Sequence, residues 1–174
     1  MAKHVTWRNF WILWLGGLLI ITYLLSQSDQ LVTDVAPRGM MDHQGAGDAD
    51  TVDRIHASWE SIWAFVQGAI LLDLLFIAMY SVGGMMGGIL VRREAHSRIL
   101  KAVGTAAFLA YALFGLFDFT ETICQALQVF VTGGNDVQAG IAALAQMPKF
   151  AAFFAGLPIL LIALIWLWVE KRSA

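Results

Sequence analysis

Cysteine is almost missing from this chain: Cys124 is the only one in 174 residues. Disulfide exchange within one chain needs a pair, which sets aside a thiol oxidoreductase of the four-helix membrane type. Charge is scarce as well. Charged residues make up 14%, where a soluble domain carries about a quarter. The net charge of −2 comes without the basic patch or stripe that nucleic acid calls for. Histidine is sparse, and all four (His4, His43, His56, His96) lie outside the apolar runs. Axial ligation of a buried haem is therefore not expected.

What the chain has in place of these is apolar length. Hydrophobic residues form 59% of it, and they gather in four runs, about 10–26, 59–90, 100–131 and 149–170. A helix needs about 20 residues to cross a bilayer, and all four runs approach or exceed that. The expected fold is all-α, a single four-helix membrane domain over 1–174 with a long acidic loop at 27–56. The first run invites comparison with a signal peptide. However, "LLSQSDQ" after it lacks an Ala-x-Ala cleavage pattern, and Trp7, Trp11 and Trp14 suit an interfacial anchor. A retained helix is the expectation.

Lysine and arginine set the orientation. One side collects Lys3, Arg8, Arg92, Arg93, Arg98, Lys101, Lys171 and Arg172, and the other only Arg38, Arg54 and Lys149. Eight against three predicts both termini in the cytoplasm and an inner-membrane, multi-pass protein. The outer loop then holds Asp29, Asp34, Asp42, Asp48, Asp50 and Asp53. Its plain reading is a solvated, partly mobile acidic loop, because the spacing does not fit an EF-hand. A second outer segment, "AGIAALAQM", reads as a short interfacial helix. Pro148 would open the last span, a place that tolerates a missing N–H. The short basic loop "VRREAHSRILK" can contact anionic headgroups. In "SVGGMMGGIL", Gly83 and Gly87, and likewise Gly84 and Gly88, stand one turn apart, so another helix can come close, within the chain or from a partner.

The chemistry of interest is acid inside hydrocarbon, which is costly and usually has a reason to be there. Asp73 interrupts "LLDLLFIAMY", and Asp118 and Glu121 interrupt "LFGLFDFTETICQAL". At 1.5 Å per residue, Asp73 falls about 16 Å below the outer boundary and Asp118 about 6 Å below it. Boundary error lets their depths approach within about 5 Å, close enough for one shared pocket. Lys149 is the only cation near that depth and pairs most naturally with Glu121 or Asp118. Tyr80, Thr120, Gln125 and Gln67 can supply hydrogen bonds. Asp73, with no cation at its level, is expected to be a neutral acid facing the same pocket. A redox metal centre is not expected. The third span has Asp-x-x-Glu without histidine, and the His56/Glu60 pair lies about 20–25 Å along the helix from Asp73. No cofactor is expected.

"DLLFIAMY", "FDFTE" and the lysine opening the last span together resemble a family of small bacterial four-helix integral membrane proteins. Its pattern reads Asp-x-Leu-Phe-x-x-x-Tyr, then Asp-x-x-Glu-Asn, then Lys-Phe. The resemblance covers residues 57 to 170. It implies a site of Asp73, Tyr80, Asp118, Glu121 and Lys149, and it implies no activity. Thr122 stands where the family pattern has asparagine.

Three functions stay open at this point. The first is a membrane protein that binds a lipid or other hydrophobic ligand in an acid-lined pocket, or serves as accessory subunit of a larger complex. The second is a membrane enzyme doing acid–base chemistry on an isoprenoid or sterol-like substrate, since paired acids in different environments are the mark of such work. The third is a proton- or cation-coupled transporter, for which so few helices would have to oligomerise. Polar groups in membrane bundles also serve simply as fasteners. The expected partners are membrane lipids and a second copy or larger complex.

Overall fold

The computed structural model describes residues 4–173; Lys3, one of the eight basic residues counted above, lies outside them. Every regular element among the described residues is helical: α1 (Trp7–Gln27), α2 (Met40–Gln44), α3 (Ala49–Ser58), α4 (Trp63–Glu94), α5 (Arg98–Leu127) and α6 (Asp136–Ser173). Four of these are long and apolar enough to cross a membrane. Local chemistry sets their starts. The Thr6 side chain accepts from Asn9 N–H, Asp48 from Thr51 N–H and Ser97 from Leu100 N–H, each satisfying a first-turn donor that has no partner in the helix. At the far end of the α4–α5 hairpin, Glu170 of α6 accepts from the backbone of His96 and Ser97.

Sequence neighbours pack antiparallel: α1 on α4, α4 on α5, α5 on α6. The glycines explain how closely. A Cβ at Gly83 would sit 2.6 Å from the backbone nitrogen of Trp14, and one at Gly88 would sit 2.6 Å from the carbonyl oxygen of Gly104. Gly84 lies under the ring of Tyr111, and Gly87 meets Phe10 and Leu160. All four glycines thus serve contacts within the chain, and they do so toward three different helices. Gly88→Leu should cost at least about 1–3 kcal/mol, because the obstruction is backbone. Gly68→Leu on the same helix meets nothing within 4 Å and should be neutral or slightly stabilising. Equal melting of the two variants in detergent would overturn this assignment.

The long core combines Phe10 and Trp14 of α1, Phe76, Ile77 and Tyr80 of α4, Tyr111 and Phe114 of α5, and Leu160 of α6. Trp14 is part of it. Rather than anchoring at an interface, Trp14 is 4% exposed and donates to the Tyr111 hydroxyl at 2.8 Å. Trp7 instead donates to Glu94, and only Trp11 of the three stays exposed.

Two expectations are corrected. First, α6 runs unbroken from Asp136 through Pro148 and Pro158, where a separate interfacial helix and a start near residue 149 are expected. A proline removes one ladder hydrogen bond, yet the buried face continues on both sides: Ala139, Ala142, Ala145, Lys149, Gly156, Leu160, Ala163 and Leu167. Pro158 is exposed and Pro148 half-buried, so both rings stay off that face, and the packing carries the helix through them. Second, the stretch 27–56 is folded instead of loose. It forms α2, α3 and a 3-10 turn over Ser28–Leu31, around a second core of Leu31, Ala36, Ile55, Trp59, Val66, Ile70 and Val129. Asp42, Asp48 and Asp53 act as fasteners in it. Asp53 accepts from Gly134 N–H at 2.6 Å and Asp136 from Ala49 N–H at 2.8 Å, which binds this cap to the α5–α6 turn. Asp42 pairs with Arg38.

At 32 and 38 residues, α4 and α6 extend about 48 and 57 Å, well beyond the roughly 30 Å of a hydrocarbon core. Counting back from the basic ends of α4 and α6, the surplus lies at the capped end.

Candidate functional site

Asp73 on α4, Asp118, Glu121 and Thr122 on α5, and Lys149 on α6 meet just below the cap. Helical spacing prepares this: Asp118, Glu121, Thr122, Gln125 and Gln128 recur every three or four residues and are all buried, so they form one face of α5. The Lys149 ammonium stands 3.1 Å from Asp118 Oδ1 and also pairs with Glu121 Oε1. Gln125 donates to that same Glu121 oxygen at 3.4 Å. Asp73 is half-buried and accepts from the Thr122 hydroxyl at 2.9 Å. The α4–α5 register puts Asp73 opposite Thr122, level with Glu121 and about one turn nearer the cap than Asp118, rather than deeper toward the midplane as the depth arithmetic suggests. The reason is that α4 starts further out than a span of minimal length would.

Tyr80 is not brought to the cluster. Two turns along α4 from Asp73, it accepts a hydrogen bond from Tyr111 at 3.3 Å and stacks on Phe76 and Trp14. Between the acids and this tyrosine pair lies a layer of rings. Phe76 meets Phe114 at 5.9 Å, and Phe114 meets Phe153 at 5.5 Å, centroid to centroid. Thr120 bonds back to Leu116 on its own helix. Sequence reasoning named Thr122 only as a departure from the family pattern, and it missed Gln128. The signal was present for both, since Thr122 is one turn from Asp118, and Gln128 is two turns beyond Glu121 and about one turn beyond Gln125.

Two features give this arrangement its chemical character. Three carboxylates share a single ammonium, so the cluster has a surplus of acid. In addition, three fully buried acceptor oxygens, Glu121 Oε2, Gln125 Oε1 and Gln128 Oε1, have no hydrogen-bond partner among the described residues. Native interiors pair nearly all such atoms, and each exception calls for an explanation. The three oxygens follow one another at about one-turn spacing along α5 and into the π-turn Gln128–Thr132 that ends it, from the acids up to the cap. At the top, Gln128 lines a cavity of about 590 Å³ together with His56, Glu60, Trp63, Val129 and Phe130. None of the three acids lines that cavity.

No protein family, curated relative or solved structure matches this chain. The family resemblance therefore rests on its short motifs alone, and the site is argued from its own geometry.

Proposed function

We propose that this is a small multi-pass protein of the inner (cytoplasmic) membrane, a four-helix bundle with both termini cytoplasmic, whose buried acid–lysine cluster takes up a proton from the side of the cap. The observation that carries this reading is the imbalance of three carboxylates against one lysine in a packed interior. Surplus negative charge in such a place is expensive, and a proton is the smallest ligand that removes it. The row of unpartnered oxygens on Glu121, Gln125 and Gln128 supports an approach from the cap side, since such groups suit bridging water. The ring layer of Phe76, Phe114 and Phe153 favours one-sided access over a through-going channel. That combination suits a proton-responsive subunit of a larger membrane assembly. Tight packing around the acids also favours a proton over a bulky isoprenoid or lipid at this spot.

Asp73 is the member with no cation beside it, so the test centres there. Infrared difference spectra of the purified protein between alkaline and mildly acidic buffer should show a carboxylic-acid carbonyl band. The band is assigned to the cluster as a whole, since its three acids lie side by side. Asp73→Asn keeps the side-chain shape and an acceptor for Thr122; it should diminish the band while helix content and melting stay close to wild type. An unchanged wild-type spectrum across that range sinks the reading.

The orientation rests on the eight basic residues at one end against three at the other. Single cysteines introduced into a Cys124→Ser background at positions 38–50 and 133–138 should label from outside, and those at 93–98 should not. External labelling at position 95 would reverse the topology.

A further inference from the structure

The cavity beside the cap is separate from the acid cluster and has its own chemistry. Its volume of about 590 Å³ falls within the size of small-molecule sites, roughly 300–1,000 Å³. One wall is the α3 end and the 3-10 turn that leads into α4, carrying His56, Glu60 and Trp63. The other is the π-turn Gln128–Thr132, a conformation that is rare and often found at functional sites. The π-turn is closed by Gly133 at φ 69°, the left-handed region that glycine adopts without strain.

The polar groups in these walls have a consistent sign. Gln128 is 2% exposed; its amide nitrogen is directed to the Asn135 carbonyl at 3.5 Å, and its Oε1 is buried out of reach of the cavity. Glu60 has no ion-pair partner among the described residues. No lysine or arginine lines the cavity. His56 directs Nε2 to His43 at 2.9 Å and packs its ring edge-on to Trp63 at 5.0 Å. Burial holds His56 below its ordinary range, with Asp53 opposing, so it adds no positive charge at neutral pH. The site thus offers a carboxylate and aromatic rings, and no cationic group to hold an anion. Next to it, Phe130 and Val131 are 43% and 74% exposed, an apolar surface on which an acyl chain can lie.

We propose that this cavity binds the protonated amine head of an amphiphile. Glu60 would supply the counter-charge and accept the ammonium hydrogens, and Trp63 would offer its ring face to the cation. The tail would run along Phe130 and Val131. A lipid headgroup and a free amine share this chemistry.

The test uses the full chain in detergent, with binding measured calorimetrically. Four probes are compared: short-chain phosphatidylethanolamine, phosphatidylcholine of the same chain length, phosphatidylglycerol, and free ethanolamine. Phosphatidylethanolamine should bind saturably and at least about tenfold tighter than phosphatidylcholine, which has no N–H to donate, or phosphatidylglycerol, which has no cation. Glu60→Gln, at an exposed position that leaves the fold intact, should weaken phosphatidylethanolamine binding by about tenfold. Equal affinity for ethanolamine and phosphatidylethanolamine upholds the amine site and assigns it to a soluble amine. Binding of phosphatidylglycerol as tight as that of phosphatidylethanolamine, or full phosphatidylethanolamine affinity in Glu60→Gln, overturns the proposal. Neither result bears on proton uptake at Asp73, so the two readings stand or fall separately.

Discussion

Lys149→Met should be the most damaging single substitution in the membrane-embedded half of the protein. Lys149 is 6% exposed, and among the described residues its ammonium is the one positive group that Asp118 and Glu121 touch. Methionine has similar length and fills the space, so what is lost is charge rather than packing. Two carboxylates would then face each other beside Asp73, and breaking a buried pair by removing one partner costs about 3–5 kcal/mol. Adding Glu121→Gln to Lys149→Met should restore part of the loss, since the stranded charge goes and the amide can still bond Gln125. A double-mutant cycle on unfolding in detergent should therefore give a coupling of at least about 1 kcal/mol between positions 121 and 149. Lys171→Met provides the contrast. That lysine pairs with Glu94 but is half exposed, and solvent-screened pairs contribute only about 0–1 kcal/mol. If both lysine variants melt alike, the cluster holds nothing together.

The second large effect is expected in the cap as the pH falls. His43 on α2 is 1% exposed, rests against Trp59 and shares the Nε2–Nε2 contact with His56 on α3. Its Nδ1 is buried without a partner. Burial, helped by the neighbouring His56, pushes the His43 pKa from 6.5 to about 3. The charged groups near this pair are Asp42 on α2 and Asp53 on α3, and both already accept hydrogen bonds elsewhere. The folded cap therefore refuses a proton that the unfolded chain accepts below 6.5. The stability that depends on neutral His43 is fully present above 6.5 and drains away as the pH falls toward about 3. Each pH unit in that window removes about 1.4 kcal/mol, so roughly 3 kcal/mol is gone by pH 4.5. Hydrogen exchange of the α3 amides should report this as opening of the cap while the long helices stay protected. His43→Phe should flatten the pH dependence whatever it does to stability at neutral pH. A cap whose exchange is insensitive to pH between 7 and 4.5 would contradict this account.

Four long helices were legible in the amino-acid order because their cause is local: runs of apolar residues longer than a bilayer needs, opened by Thr6 or Ser97. The pairing of Lys149 with Asp118 and Glu121 was legible too, by elimination, since hydrocarbon leaves a buried acid few partners and only one cation stood near its depth. The helix-facing role of Gly83, Gly84, Gly87 and Gly88 followed from spacing. Which helix each one meets did not, because a helical face has a direction only once its neighbours are in place. Three features belonged to tertiary structure alone. The α4–α5 register sets Asp73 opposite Thr122, about one turn nearer the cap than Asp118, and register is a property of two packed faces, not of either helix. The proline-containing helix α6 runs straight through residue 148 because the alanine face packed before it and the Lys149–Leu160 face packed after it outweigh one missing hydrogen bond. The acidic stretch after α1 folds into a cap because its few apolar residues (Leu31, Ala36, Ile55 and Trp59) find Val66, Ile70 and Val129 from helices far along the chain. Composition registers only its aspartates, since the burial that outweighs them is made between segments.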